Sequence, residues 1–225
     1  MTESDNTDEN VNQSVQERLL NSAEELFCEK GFEGTSIRDI ASAAECNIAS
    51  VNYYFGGKQQ LYEQVWKRHL IPMRDARLKS IQKISIDSEK KTPLEDLIKS
   101  FANSFMGSIA ETQNVSNLNK LMAREYINKH LPADMFLQEV MMPTINAMQQ
   151  ALVKALPNID EIKLPWIVFS LIGQLVHLGH VRVMFDDSAD DLTRNMFYSD
   201  EVIDHIVKFT CAGIRAYIKE NNNEK

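Results

Sequence analysis

Apolar positions recur at helical spacing along most of this 225-residue chain, and no stretch of any length shows the period of two that a strand requires. Leu19, Leu20, Ala23, Leu26 and Phe27 form one apolar stripe and predict a helix over about residues 14–30, stopped by Gly31. A second stripe, Ile37, Ile40, Ala41 and Ala44, follows Ser36, whose hydroxyl can cap a helix while Asp39 completes a capping box. Glu45-Cys46-Asn47 breaks this pattern, and Asn47 is a good cap for a further short helix from Ile48 to Tyr54. Two helices joined by a turn of about three to four residues make a helix-turn-helix, whose second helix fits the major groove of DNA.

Downstream, Leu61, Val65, Trp66 and Leu70 mark a fourth helix that starts near Gly57 and that Pro72 should kink or divide. Residues 85–91 are polar and read as a loop, after which Thr92-Pro93-Leu94-Glu95 supplies a cap, a first-turn proline and an acid. Further helices are expected over about residues 93–110, 116–129, 133–156 (kinked at Pro143), 164–185 and 199–221, the last two separated by an acidic DDSADD loop. The prediction is an all-α protein of about nine helices. Residues 1–13 form a disordered acidic tail, 14–60 a three-helix DNA-binding head, and 61–225 a larger helical body.

Composition narrows the picture. Glycine and proline are sparse, at 8 and 6, which favours helices. No run of about eighteen apolar residues stands out, so no membrane span is expected. The polar, acidic N-terminus is the opposite of a signal peptide, so a cytoplasmic location is expected. Cys28, Cys46 and Cys211 are odd in number and lack metal-ligand spacing, as expected of reduced thiols. The formal charge of −8 looks wrong for a DNA binder, but residues 14–80 hold nine acids and nine bases. A neutral head argues against strong non-specific binding and leaves room for a specific dimer making a few phosphate contacts. There is no phosphate-binding glycine loop, HExxH, CxxC or nucleophile elbow, so no enzyme, cofactor or metal is expected.

Phe27, Gly31, Phe32, Thr35, Ser36, Ile40, Ala41, Ala44, Val51, Tyr54, Phe55, Lys58, Leu61 and Tyr62 together resemble the DNA-binding head of the TetR family of bacterial transcription regulators. Two positions depart from its pattern. Glu45 stands where the turn usually has glycine, and it would suffer in a left-handed backbone conformation. Asn52 stands where many members have tyrosine. The runs LMAREYINKHLP, MMPTINAM and SLIGQLVHLGHVR also look like the C-terminal domain of the CecR-like subgroup. The resemblance implies a homodimer on a palindromic operator, with a body that binds a small-molecule effector. It also implies a repressor as the commoner mode, with a constitutive regulator lacking a ligand as the alternative.

Val51 and Phe55 lie one turn apart and should face the head's core, leaving Ser50, Asn52, Tyr53 and Tyr54 outward. Asparagine can pair bidentately with adenine, serine can reach a base or phosphate, and tyrosine hydroxyls suit phosphate oxygens. By resemblance, Ile48 and Ala49 are also groove-facing, Arg38 can reach a guanine, and Lys58 is a phosphate contact at a helix N-terminus. In the body, Phe105, Met122, Tyr126 and Met141 belong to a methionine- and aromatic-rich set that suits either an apolar ligand or a core. Arg124, Glu125, Gln174 and His177 are polar groups in apolar helices, able to orient a ligand or to satisfy one another. His177 and His180 permit metal ligation by spacing alone, and packing or interface roles are preferred. Gly173, Gly179, Val176, Val183, Ile203, Ile206, Val207, Phe209 and Ile214 suit a four-helix dimer interface. Cys46 reads as the filler of a small apolar slot, and Pro72 as a place where head and body couple.

Overall fold

The computed structural model describes residues 4–86, 93–110, 113–185, 197 and 199–223, with side chains over 15–84, 93–107, 117–182 (except 119 and 126), 197 and 199–218. Nine α-helices and no strand occur among these residues: α1 (Ser4–Lys30), α2 (Ile37–Ala43), α3 (Ile48–Phe55), α4 (Lys58–Ile86), α5 (Leu94–Ala110), α6 (Gln113–Ile127), α7 (Met142–Ala155), α8 (Leu164–Phe185) and α9 (Asp200–Asn223). The DDSADD loop, most of the polar stretch 85–91, Thr92, and the side chains of Tyr126 and Val183 lie outside the described residues.

Three features differ from the pattern-based expectation. Helix α1 begins at Ser4 rather than near residue 14, because the polar segment before it has neither glycine nor proline to stop a helix. Helix α4 continues through Pro72 instead of dividing there. Around Pro143 the expected single helix becomes a π turn (Leu137–Met141) followed by α7, with the proline in the first turn of α7. Proline has no N–H to offer the carbonyl of Glu139 four residues back. Arg74 Nη1 donates to that oxygen instead, at 3.2 Å, and the Thr144 hydroxyl donates to Val140 O at 2.8 Å.

The chain divides into two compact units, Met1–Ile71 with Thr112–Met135, and Pro72–Glu111 with Phe136–Lys225. Residues 61–71 and 112–135, read from sequence as body, thus join the unit that holds the helix-turn-helix. That unit buries Leu19, Ala23, Phe27, Ile40, Val51, Leu61, Tyr62, Val65, Trp66, Leu70 and Leu121. The second unit has its own core, built from Leu97, Ile98, Phe101, Phe105, Met148, Leu152, Val168, Leu171, Leu175, Ile206 and Ile214.

One helix departs from the expectation that no segment could cross a membrane. Glu161–Arg182 is long and apolar enough by length and composition, with 39% of its most apolar window buried. Trp166, Phe169, Gly173, Val176, His177 and His180 form its exposed stripe. On α9 the exposed stripe runs through His205, Phe209, Gly213 and Tyr217. Ile203, Ile206, Val207 and Ile214, assigned to an interface by sequence, are core residues, as is the backbone at Gly179.

Candidate nucleic-acid interface

The head is assembled from local signals that the sequence carries in full. Ser36 caps α2 with Oγ accepting from Asp39 N, and the Asp39 carboxylate accepts from Ser36 N at 3.0 Å. These bonds with the Ser36 hydroxyl and backbone N–H hold the Asp39 carboxyl below its usual range. Asn47 caps α3, its Oδ1 accepting from Ala49 N at 2.9 Å. Gly56 ends α3 in the left-handed conformation (φ 79°), which glycine adopts without a Cβ penalty. The turn between α2 and α3 keeps its shape at a cost, with Glu45 at φ 53° as the one non-glycine residue with positive φ among those described. Arg18 of α1 holds this turn from outside, donating from Nε to Ala44 O at 3.1 Å and approaching Cys46 Sγ at 3.4 Å. Cys46 is half-buried and donates to Ala44 O at 3.2 Å.

Burial of Val51 orients α3, so the opposite face is bared. Tyr53 is 80% exposed and Ile48 45%, and Arg38, Ala49 and Asn52 are also exposed. Ser50, Tyr54, Phe55 and Lys58 are half-buried. Tyr53 and Tyr54 pack edge to face at 4.9 Å. Lys58 opens α4 with its ammonium 4.2 Å above the Phe32 ring, a contact that positions the cation beside a helix N-terminus.

Sequence reading missed the support beneath this face. Thr35, 1% exposed, donates its hydroxyl to Gly31 O (2.8 Å) and also lies within reach of Leu26 O (3.1 Å), tying the end of α1 to the start of α2. Phe27, Phe32, Tyr62 and His130 stack and cross as one aromatic cluster. Arg124 and Glu125, read as ligand-orienting or mutually satisfied, brace this unit. Arg124 donates from Nε to Cys28 O (3.1 Å) and from Nη2 to Glu29 O (2.6 Å), satisfying carbonyls in the last turn of α1. Glu125 accepts from His130 N and Leu131 N, each at 2.7 Å, and from the Tyr62 hydroxyl at 3.0 Å. Burial, and then the Glu125 carboxylate, raises the Tyr62 phenol well above its usual range. The only signal in the sequence was an Arg-Glu pair inside an apolar helix.

The other ligand candidates fall in both units. Met122, exposed, belongs to the first unit with Arg124. Phe105, Met141, Gln174 and His177 belong to the second. There Phe105 is core, Met141 is half-buried, His177 is exposed, and Gln174 donates to Ser170 O on its own helix at 3.3 Å. Among the other methionines, Met106, Met135 and Met148 are buried packing residues, while Met142, like Met122, is exposed. A cleft of about 510 Å³ in the second unit is lined by Asn146, Gln149, Val153, Lys154, Glu161 and Leu164 and by none of these candidates. Among the described residues no group of three or more His, Cys, Asp or Glu could hold a metal.

A capped helix pair with its second helix bared, on an all-helical frame, defines a helix-turn-helix transcriptional regulator. The family model for bacterial regulatory proteins of the tetR family matches residues 19–65, and that for the C-terminal domain of the HTH-type transcriptional dual regulator CecR matches residues 94–214. The chain belongs to the TetR family and carries a CecR-type C-terminal domain. Similar proteins include the "Probable HTH-type transcriptional regulator YttP" of Bacillus subtilis (strain 168), 46% identical over 52 residues, 23% of this chain and 25% of that one. The negative transcriptional regulator IcaR of the biofilm operon icaADBC in Staphylococcus aureus (strain Newman) is 38% identical over 50 residues, 22% of this chain and 27% of that one. These matches thus span about a quarter of the curated relatives' length. Among solved structures, a TetR-family regulator from Mesorhizobium loti MAFF303099 aligns with TM-score 0.65 at 15% identity, over 89% of this chain and 96% of that one. The SmeT–triclosan complex aligns with TM-score 0.59 at 19% identity, over 88% and 90%. At such identities the likeness is one of fold.

Proposed function

We propose that this regulator is a cytoplasmic repressor that binds a palindromic operator as a homodimer and is released by a small-molecule effector. The observation that carries the DNA-binding part is the bared face of α3 with Arg38, Ile48, Ala49, Asn52 and Tyr53 exposed beside Lys58. Asn52 and Arg38 suit base edges, Ser50, Tyr53, Tyr54 and Lys58 suit phosphates, and Ile48 and Ala49 suit thymine methyls. The dimer is supported by the exposed apolar stripes of α8 and α9, where Trp166 (72%), Phe169 (60%) and Phe209 (65%) would otherwise face water. Gly173 and Gly213 have open space about them, which lets a second copy approach closely. A second copy covering α8 also accounts for its apolar character without a membrane. Repression is supported by the likeness to IcaR, a negative regulator, over the head.

The test is footprinting on the intergenic region beside the protein's own gene and, more widely, across genomic fragments. A protected, two-fold symmetric site weakened by Asn52→Ala and Lys58→Ala is expected. Protection that neither change affects would sink this assignment. One observation favours a constitutive regulator instead, namely that Phe101, Phe105, Met106 and Met148 pack as core. That reading predicts that no compound releases the operator.

A further inference from the structure

One charged side chain in the second unit has no hydrogen-bond or ion-pair partner among the described residues. Arg77 is 6% exposed, and its guanidinium carbon lies 3.7 Å from the centre of the Phe105 ring. Nε is enclosed without a hydrogen-bond partner, and no carboxylate, carbonyl or hydroxyl among the described residues meets the rest of the fork. Nε is the one guanidinium nitrogen enclosed in this way. Arg74, nearly one turn earlier, is fully engaged with Asp75 (2.9 Å) and Glu139 (3.5 Å). Burial lowers the Arg77 pKa to about 10, which leaves it charged at neutral pH.

Burying an unpaired guanidinium costs more than a desolvated cation–π contact returns. An apolar side chain of similar length would serve the core of Ile81, Phe101 and Phe105 better. A charge kept at such a place is explained by an anion that joins it. We propose that Arg77 anchors the carboxylate of a small amphipathic monoanion beside the Phe105 ring. The planar fork of arginine matches two carboxylate oxygens, and one guanidinium balances one negative charge. A phosphate monoester brings more charge than this lone cation balances, since Arg74 is already paired. The inference rests on the effector-responsive reading and gives that effector a chemical class.

The test is calorimetric titration of the full-length protein with decanoate and 1-naphthoate, and with the neutral decanamide and 1-naphthamide. Wild type, Arg77→Met and Arg77→Lys are compared. At least one acid is expected to bind wild type about tenfold or more tightly than its amide, the preference that a charged hydrogen-bond pair supplies. Arg77→Met brings acid and amide to within about twofold and, without ligand, melts no lower than wild type, because the unpaired charge is gone. Arg77→Lys, which keeps the charge, retains part of the preference. Equal binding of acid and amide to wild type, a preference that survives Arg77→Met, or no binding of either acid overturns the proposal. Release of operator DNA reads the effector hypothesis separately. A neutral compound that binds and releases DNA keeps that hypothesis and removes the carboxylate class. An acid that binds through Arg77 but leaves DNA bound does the reverse.

Discussion

Replacing Glu45 with glycine is expected to stabilise the first unit, and the size of the effect follows from its backbone. At φ 53° the Cβ of an L-residue crowds the following carbonyl, which costs about 1–2 kcal/mol. Glycine removes this strain but has more freedom to lose on folding, worth about 0.5–1 kcal/mol. The Glu45 side chain is exposed, so no packing is forfeited. A net gain of about 0.5–1 kcal/mol remains. Trp66, 2% exposed in the core of this unit, is the natural reporter once the exposed Trp166 is replaced by phenylalanine. With a urea slope of about 2–3 kcal/mol/M, the midpoint should rise by about 0.2–0.5 M. Glu45→Ala keeps the backbone strain and should leave the midpoint unchanged. A midpoint that falls with glycine, or rises equally with alanine, refutes the strain argument.

Three further outcomes follow from the same contacts. Glu125→Ala leaves two backbone N–H groups and the Tyr62 hydroxyl without their acceptor and should cost about 2–4 kcal/mol in urea unfolding, whereas Glu125→Gln, which keeps an acceptor, should cost less than half of that. In native protein at pH 8, one thiol per chain should react quickly with a disulfide reagent. That thiol is Cys46, since burial pushes Cys28 and Cys211 each up to about 11 and both are closed to solvent; three fast thiols would contradict the packing. Glu24 sits with His69 Nε2 at 3.2 Å and accepts from Asn117 Nδ2 at 2.9 Å. Burial alone would raise its pKa, but His69, Asn117 and Arg68 outweigh this and lower it. A depressed folded pKa contributes stability above the unfolded value near 4.5 and loses it as pH falls through the folded value. The fall in unfolding free energy from pH 5 to pH 3 should therefore be steeper in wild type than in Glu24→Gln, and equal slopes would remove Glu24 from the account.

What the sequence made legible was local. The Ser36–Asp39 box, the Asn47 cap, the Gly31 stop and the apolar stripes each act within about four residues, so the helix-turn-helix could be read directly. Glu45 was read as a conflict at a left-handed position, and the structure keeps the turn and the conflict together. What escaped depends on partners far along the chain. Nothing near Arg124 announces that it will meet the carbonyls of Cys28 and Glu29, and nothing near Arg74 announces Glu139. The same holds for the division between Ile71 and Pro72, where α4 continues while its neighbours change. Methionine and aromatic residues at helical spacing suit a ligand wall and a core equally well, and tertiary packing places most of the buried ones in the core.

The most direct test of the central claim is the salt dependence of operator binding, measured by fluorescence anisotropy for wild type, Lys58→Ala and Asn52→Ala. If Lys58 of each subunit neutralises one phosphate, the slope of log K against log salt should become shallower by about 2 in Lys58→Ala. Asn52→Ala should keep the wild-type slope while losing about 1–3 kcal/mol per half-site and its preference at one base pair. Unchanged slope and affinity in both variants would contradict the assignment of this face to DNA.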